Sequence, residues 1–144
     1  MTRRILCFGD SLTWGWKPHE KVVPVERYAR NERWTGLLAK ELGASCEIIE
    51  EGLSGRTTNV DDPTDPRLNG ASYLPSALAS HLPLDLVVLM LGTNDTKAQF
   101  RRSPFDIAVG MSVLIGQVAK SAGGVGTVYP APKVLLMAPP PLAA

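Results

Sequence analysis

The chain has 144 residues, of which 44% are hydrophobic, and its 15 basic and 14 acidic side chains leave a formal net charge of +1. A chain of this length holds one domain with a hydrophobic core and is too short for two. Because no block of Lys or Arg stands out, the composition excludes the broad positive surface with which proteins bind nucleic acids or anionic membranes. We therefore expect partners that are small and neutral.

We expect neither a secretory nor a membrane segment. The first apolar stretch covers only residues 5–8, which is shorter than the apolar part of a signal peptide. The run at residues 82–91 is interrupted by a proline and an aspartate and falls below the roughly 20 residues of a membrane span. A cytoplasmic protein is expected. Cys7 and Cys46 lack the paired spacing of a metal site, so we expect both to pack as small apolar side chains.

In chain order, the first half alternates strand and helix patterns. Residues 4–8 predict a short buried strand, and the apolar spacing from Trp34 to Leu42 predicts a helix closed by Gly43. Residues 45–50 predict the second strand. A long polar loop follows and contains three aspartates, which invites a calcium interpretation, but prolines interrupt them and the spacing of a calcium loop is absent. We expect an Asx-rich loop that shapes an entrance or a subunit contact; its aspartates are Asp61, Asp62 and Asp65.

The second half repeats the alternation. Residues 71–80 predict a helix, and residues 85–91 are apolar on both faces, as a central parallel strand requires. Ser103-Pro104 opens a helix that is predicted to run until Gly123-Gly124, and residues 133–138 predict a fourth strand. This order predicts an α/β fold with a parallel sheet.

The fourth predicted strand has no helix or strand after it. A parallel strand inside such a sheet needs cover on both faces and partners on both edges. We therefore expect residues 1–144 to form a single domain that lacks its last strand and helix. The chain would then be part of a longer polypeptide or a truncated product, or it would need a second chain.

Three polar loops follow three of the predicted strands, and each carries a residue suited to acyl transfer. Ser11, Gly55 and Asn94 follow the first, second and third strand, whose carboxyl ends meet at one edge of a parallel sheet. A serine hydroxyl, an unobstructed glycine N–H and a carboxamide are the nucleophile and oxyanion donors that ester cleavage needs. Each residue has an alternative: Ser11 as a helix cap, Gly55 as a turn residue with positive φ, and Asn94 as an Asx turn or cap.

The three loops resemble the sequence blocks of the SGNH, or GDSL, family of serine esterases, namely FGDSL at residues 8–12, glycines and serine at residues 52–55, and GTND at residues 92–95. The resemblance implies a flavodoxin-like, three-layer α/β/α fold. It also implies that Ser11 is the nucleophile and that the oxyanion hole comprises the N–H groups of Ser11 and Gly55 and the side chain of Asn94.

Longer stretches resemble the aryl esterase branch of this family, at residues 5–16, 61–70 and 91–97. Members of that branch also transfer acyl groups to alcohols and to hydrogen peroxide, through an apolar channel formed partly by neighbouring subunits. The resemblance therefore implies a homo-oligomer that uses small ester substrates, with alcohol, peroxide or water as acceptor. It implies no cofactor and no metal.

The chain departs from the family at one point, because the Asp-x-x-His block that supplies the catalytic base has no counterpart. Its two histidines are His19 and His81. His81 precedes the third strand whereas Asn94 follows it, so the strand holds them at opposite edges of the sheet. His19 lies on the correct side, but no carboxylate is obviously placed to orient its ring. Without a base, a serine hydroxyl is a poor nucleophile, so we expect the 144-residue chain alone to be nearly inactive.

The predicted substrate pocket comprises Asp10, Trp16, Thr93 and Lys97. Aromatic side chains near the loops could line an apolar acyl or aryl pocket, and Trp16 is favoured because its neighbours Lys17-Pro18 make it hard to bury completely. Trp14 and Phe100 are further candidates for this lining. Lys97 and Arg56 could attract an anionic group, although a solvated surface charge or a salt bridge is favoured for each.

The leading hypothesis is a serine carboxylic ester hydrolase and acyltransferase that acts through an acyl-Ser11 intermediate. One alternative is a flavodoxin-like binding domain in which the serine and threonine loops cradle a phosphate and Trp16 stacks on a ring. Another is a noncatalytic relative that binds esters or carbohydrates.

Overall fold

The computed structural model describes residues 1–21 and 23–142, and within them it contains strands, α-helices and short 3₁₀ turns. The strands are β1 (Arg3–Gly9), β2 (Trp16–Lys17), β3 (Glu26–Arg27), β4 (Cys46–Gly52), β5 (Leu86–Met90) and β6 (Lys133–Leu136). The α-helices are α1 (Ser11–Trp14), α2 (Trp34–Leu42), α3 (Gly70–His81) and α4 (Pro104–Ala119).

The main sheet is parallel and has the order β4-β1-β5-β6. From β1 the chain passes to β4 on one side and later to β5 on the other. Gly9 at the end of β1 pairs with Gly52 of β4 and with Met90 of β5. The loops that leave these three strands therefore start side by side, at the point where the strand order reverses and where α/β proteins bind their ligands.

Helices cover both faces of the sheet, which confirms the predicted three-layer α/β/α fold. On one face α3 and α4 pack against alternate residues of β1 and β5, including the fully buried Leu6 and Phe8. On the other face α2 packs against Ile5 and Cys7. Both faces of β1 are thus apolar, and each large side chain buried there contributes roughly 1.5–3 kcal/mol. Cys7 is fully buried in this apolar cluster, as expected, and burial raises the pKa of its thiol to about 12.

Most predicted elements are present, and several of them begin or end at other residues than predicted. The α2 bounds are those predicted, and α3 is capped by the Asn69 side chain, which accepts from Ser72 N. The prediction that the fourth helix runs until Gly123-Gly124 is wrong, because α4 ends at Ala119 and a turn follows. In β6, which is an edge strand among the described residues, every side chain is exposed.

A small hairpin of β2 and β3 follows α1 and was not predicted from the sequence. The two strands pair antiparallel, with Trp16 opposite Arg27. The Arg27 guanidinium lies 4.9 Å from the centre of the Trp14 ring, and its Nε donates to Trp14 O at 2.6 Å. Such a short pairing carries no apolar alternation, so its stability depends on these contacts with α1.

The polar loop before α3 is rich in Asx turns, as expected. Asp62 Oδ1 accepts hydrogen bonds from the backbone and hydroxyl of Thr64, at 2.8 and 2.6 Å. Asp65 pairs with Arg67, whose hydrogen bonds lower the pKa of that carboxyl to about 2. The predicted entrance or subunit contact stays a prediction. Among residues 1–21 and 23–142, no helix is long and apolar enough to cross a bilayer.

Candidate active site

Ser11 is the first residue of α1, at the point where β1 gives way to a helix. Asp10 caps this helix, since its Oδ1 accepts a hydrogen bond from Leu12 N at 2.9 Å. The interpretation of Ser11 as the helix cap is therefore wrong, and the half-buried hydroxyl of Ser11 is not needed for capping. A side chain on Gly52 would come within 2.2 Å of Trp14 N, so glycine at the end of β4 allows α1 to lie against the sheet.

The second loop turns at Gly55, directly after β4. Gly55 has a φ of +88°, which confirms the predicted turn with positive φ, a conformation that glycine adopts without strain. Arg56 N donates to Leu53 O at 3.1 Å within the turn, and Leu53 N donates to Gly9 O at 3.2 Å. The second loop is thus bonded to the end of β1, two residues before Ser11.

Asn94 brings the three loops into contact. It begins a 3₁₀ turn (Asn94–Thr96) after β5 and is only 8% exposed. Its Nδ2 donates to Arg56 O at 3.1 Å and lies 3.5 Å from Asp10 Oδ2. Asn94 therefore contacts the residue that follows Gly55 and the residue that precedes Ser11. The expected proximity of the three loops is present, and the catalytic roles of their residues stay predictions.

Asp10 is fully buried beside Ser11. Burial raises the pKa of its carboxyl above the usual value of 3.8, although the hydrogen bond from Leu12 N acts in the opposite direction. One carboxylate oxygen caps α1 and the other faces the Asn94 amide. Asp10 is thus positioned to orient the first and third loops relative to each other.

Arg56 is buried rather than solvated, which corrects the expectation of a surface charge. Its guanidinium lies beside two aromatic rings that stack on each other, 4.2 Å from the Phe8 centroid and 5.1 Å from the Tyr73 centroid. Nη1 donates to Gly9 O at 3.1 Å and to Glu51 O at 2.6 Å. Burial lowers the pKa of Arg56, with nearby negative groups opposing this shift. Arg56 therefore joins the ends of β1 and β4 beneath the loops.

Asp95 is a further buried residue at this edge, and no role was predicted for it. It is 0% exposed and accepts hydrogen bonds from Thr58 in the second loop and from Arg102 before α4. The available sequence signal was only its place after Asn94. Its partners could not be found, because Thr58 and Arg102 lie 37 and 7 residues away along the chain.

The predicted pocket residues do not all line one cavity. Thr93 lines a cavity of about 380 Å³ beside the third loop, which is enclosed mainly by apolar and proline side chains. Its other lining residues are Leu91, Gly92, Thr96, Pro104, Ile107, Pro139, Pro140, Pro141 and Leu142. Trp16 is 43% exposed on the hairpin and Lys97 is exposed after the third loop, and neither lines this cavity.

Neither histidine is placed as the base for Ser11. The His81 ring is paired with Glu51, whose Oε1 lies 2.8 Å from Nε2, and the His81 carbonyl accepts from Arg4 Nη1 at 2.5 Å near the start of β1. His19 does have a carboxylate partner, contrary to expectation, since its Nε2 lies 3.8 Å from Glu26 Oε1. Its Nδ1 accepts a hydrogen bond from Lys21 N, so both ring nitrogens face the hairpin itself.

Comparisons with known structures find esterases that are similar to this chain. The aryl esterase of M. smegmatis is 74% identical, with a TM-score of 0.97, over 99% of this chain and 66% of that chain. Est24, a carbohydrate acetylesterase from Sinorhizobium meliloti, is 65% identical with the same TM-score and coverage. AlinE4, an SGNH-hydrolase family esterase, is 26% identical with a TM-score of 0.63, over 97% of this chain and 62% of that chain.

The chain spans 66% of the length of the aryl esterase and of Est24. A comparison of the sequence with curated proteins found no match. The model of the GDSL-like lipase/acylhydrolase family matches residues 7–144, which include all three loops. The chain therefore belongs to the GDSL-like lipase/acylhydrolase family.

Proposed function

We propose that this protein is a serine carboxylic ester hydrolase and acyltransferase that acts on small or aryl esters through an acyl-Ser11 intermediate. The observation that carries the proposal is the contact of three loops through Asn94, whose Nδ2 lies 3.1 Å from Arg56 O and 3.5 Å from Asp10 Oδ2. The residues suited to attack an ester and to stabilise its oxyanion are the immediate neighbours of these contacts. Family membership supports the same chemistry.

The proposed reaction has two steps. Ser11 Oγ attacks the ester carbonyl carbon and gives its proton to a base, while the N–H groups of Ser11 and Gly55 and the Asn94 amide stabilise the negative oxygen. The intermediate expels the alcohol, which takes up the proton, and leaves the acyl group on Ser11. Water, an alcohol or hydrogen peroxide then attacks the acyl group and releases Ser11.

The base is proposed to come from outside the 144 residues or from another chain. This proposal is supported by the positions of His19 and His81, which engage Glu26 and Glu51. The chain alone is then expected to retain binding and oxyanion stabilisation but little turnover. Its relatives of known structure are longer than this chain.

The substrate class is proposed from the relatives, because none of Ser11, Gly55 and Asn94 lines the cavity of about 380 Å³ beside Thr93. Two similar proteins are named as an aryl esterase and a carbohydrate acetylesterase, which favours short acyl chains. The noncatalytic alternatives are not favoured, because these similar proteins are esterases. Asp10, Trp16 and Lys97 remain proposed members of the pocket, and Trp16 would contribute if the hairpin lies over the substrate.

A homo-oligomer in the cytoplasm is the proposed assembly and location. Large apolar side chains on the hairpin and on α2 are exposed, notably Trp16, Val25 and Leu37. Such side chains are suited to contact a second copy. Light scattering coupled to size-exclusion chromatography of the natural polypeptide would measure the assembly, and a monomer would contradict this part of the proposal.

A fluorophosphonate probe tests the nucleophile directly, because it phosphonylates only activated serines. The natural polypeptide that contains this chain should be labelled at Ser11 and should hydrolyse p-nitrophenyl acetate faster than p-nitrophenyl octanoate. Ser11→Ala should abolish both signals, whereas Ser54→Ala, which alters the serine of the neighbouring loop, should keep them. Labelling at another serine, or turnover that survives Ser11→Ala, would contradict the proposed function.

A further inference from the structure

Asp95, Thr58 and Arg102 form a buried cluster, here named the Asp95 clasp, between the second and third loops. Asp95 Oδ2 accepts from Thr58 N at 3.0 Å, and Asp95 Oδ1 accepts from Thr58 Oγ1 at 2.6 Å. Arg102 Nη1 donates to Asp95 Oδ1 at 2.9 Å and to Thr58 Oγ1 at 3.1 Å. Every pair in the cluster is thus joined directly.

The clasp acts on the same two loops as Asn94. Asn94 Nδ2 donates to Arg56 O, and the next residue, Asp95, bonds to Thr58 N, two residues after Arg56. Two points of contact fix both the separation of the loops and their rotation, whereas the Asn94 bond alone would fix only one distance. The side chain that must present an amide to the substrate is therefore placed by its neighbour.

The hydrogen bonds of the Asn94 amide show why placement matters. One N–H of the amide is used by Arg56 O at 3.1 Å. Nδ2 also lies 3.5 Å from Asp10 Oδ2, which is long for a hydrogen bond, so this second contact holds the amide only weakly. An amide that turns or moves by about 1 Å would lose this alignment, and such displacements can cost about 100-fold in rate.

The charge of the clasp is also balanced. Asp95 is fully buried and adjacent to Asn94, so an unpaired carboxylate there would oppose negative charge developing on the substrate. Arg102, whose side chain is 12% exposed, pairs with it at 2.9 Å. The pair joins the loops, and the positive charge of Arg102 offsets the negative charge of Asp95.

We propose that Asp95, Thr58 and Arg102 are positioning residues for ester cleavage, which hold the Asn94 amide in the orientation that receives the oxyanion. This inference rests on the proposed function. The clasp contacts no substrate in this scheme and acts only through Asn94. Its loss is expected to lower kcat while KM changes little, because the oxyanion exists in the transition state and not in the bound ester.

Two substitutions of Thr58 in the natural polypeptide test the clasp. Thr58→Val removes the hydroxyl and keeps the shape, and we expect kcat for p-nitrophenyl acetate to fall about 10- to 100-fold with KM within about twofold. Thr58→Ser keeps the hydroxyl and should retain most of kcat. Thr57→Val is the matched control, because the hydroxyl of this buried neighbour bonds to Val60 O at 2.6 Å and not to the clasp. It should leave kcat within about twofold.

Arg102 provides a second route if Thr58→Val does not fold. Arg102→Gln removes the positive charge from the partly exposed side of the clasp and should lower kcat in the same way. Arg102→Lys should restore part of it. Urea unfolding of each variant checks that the measured protein is folded. A wild-type kcat in both Thr58→Val and Arg102→Gln would overturn the proposed positioning role of the clasp.

A double-mutant cycle with Asn94→Ala distinguishes an effect that acts through Asn94 from a general loss of rigidity in the two loops. If the clasp acts through Asn94, Thr58→Val should change kcat less than about twofold once Asn94 is alanine. The same loss in both backgrounds would overturn the inference. A wild-type enzyme that neither hydrolyses esters nor reacts with the fluorophosphonate would refute the proposed function itself. An active enzyme in which the effects of Thr58→Val and Asn94→Ala are additive would refute only the positioning role of the clasp.

Discussion

Replacing Arg56 by methionine should destabilise the fold where the candidate site is attached to the sheet. The guanidinium lies 4.2 Å from the Phe8 centroid and 5.1 Å from the Tyr73 centroid, and Nη1 donates to Gly9 O and Glu51 O at 3.1 and 2.6 Å. Methionine has a similar length and fills the space beside the two rings, but it donates no hydrogen bond.

The cost can be worked from these contacts. Each carbonyl that loses a buried donor costs about 1–1.5 kcal/mol, and the lower figure applies to Gly9 O because it also accepts from Leu53 N. The lost cation–π contacts with the two rings add about 1 kcal/mol. Removing a buried charge returns part of this, because desolvation disfavours the guanidinium. We expect Arg56→Met to lower the free energy of unfolding by about 2–3 kcal/mol, a large part of the usual 5–15 kcal/mol.

Urea unfolding of the natural polypeptide, followed by tryptophan fluorescence, measures this change. Arg67→Met is the control, since Arg67 is 81% exposed in its side chain and pairs with nearby Asp65. The control should unfold at the wild-type urea concentration. A loss below about 1 kcal/mol in Arg56→Met would refute the argument, because it would mean that the hydrogen bonds and cation–π contacts barely exceed the desolvation cost.

Three further substitutions test other parts of the structure. Asp10→Asn keeps a capping oxygen but removes a carboxyl whose pKa is raised by burial. In the wild type, ionisation of this buried carboxyl lowers the free energy of unfolding as pH rises from 3.8 through the raised pKa. The variant should therefore gain stability relative to the wild type over that range, and the gain should vanish below pH 3.8. Unfolding measured across pH would contradict this if the difference grew on acidification. Gly52→Ala would place Cβ 2.2 Å from Trp14 N and should lower the free energy of unfolding by more than about 3 kcal/mol. Gly116→Ala, whose Cβ would meet nothing within 4 Å, should raise it by about 0.5–1 kcal/mol. Equal midpoints of the two variants on thermal unfolding would refute the packing argument. Ser103→Ala breaks the capping box of α4 and should cost about 1 kcal/mol by urea unfolding, and an unchanged midpoint would show that α4 does not depend on its cap.

The fold was largely predictable because its signals are local. The apolar run of β1 must face two layers of helices, and it reads as continuous because Leu6 and Phe8 point to one face while Ile5 and Cys7 point to the other. The ends of helices were less predictable. The helix that was expected to reach Gly123-Gly124 ends at Ala119, since glycine spacing alone does not show where helical hydrogen bonds stop.

The β2–β3 hairpin shows what local patterns cannot indicate. Its strands contain two residues each and depend on contacts between Arg27 and Trp14, which are distant in the chain. The burial of Arg56 was missed for a related reason. An arginine in a polar loop is usually solvated, and only the positions of Phe8 and Tyr73 in space make a buried slot for it.

The three candidate site residues share one arrangement. It explains why sequence patterns could indicate some parts of the site and not others. Groups that are to bind an oxyanion must keep hydrogen-bonding capacity free for the substrate, so they cannot be fixed mainly by their own bonds. Ser11, Gly55 and Asn94 each lie next to a buried charged residue that makes hydrogen bonds between the loops and strands, and Asn94 adds one bond of its own to Arg56 O. In chain order these buried neighbours are Asp10, Arg56 and Asp95. The candidate site residues were therefore recognisable from the motifs, whereas the buried charged residues beside them became evident only from their contacts.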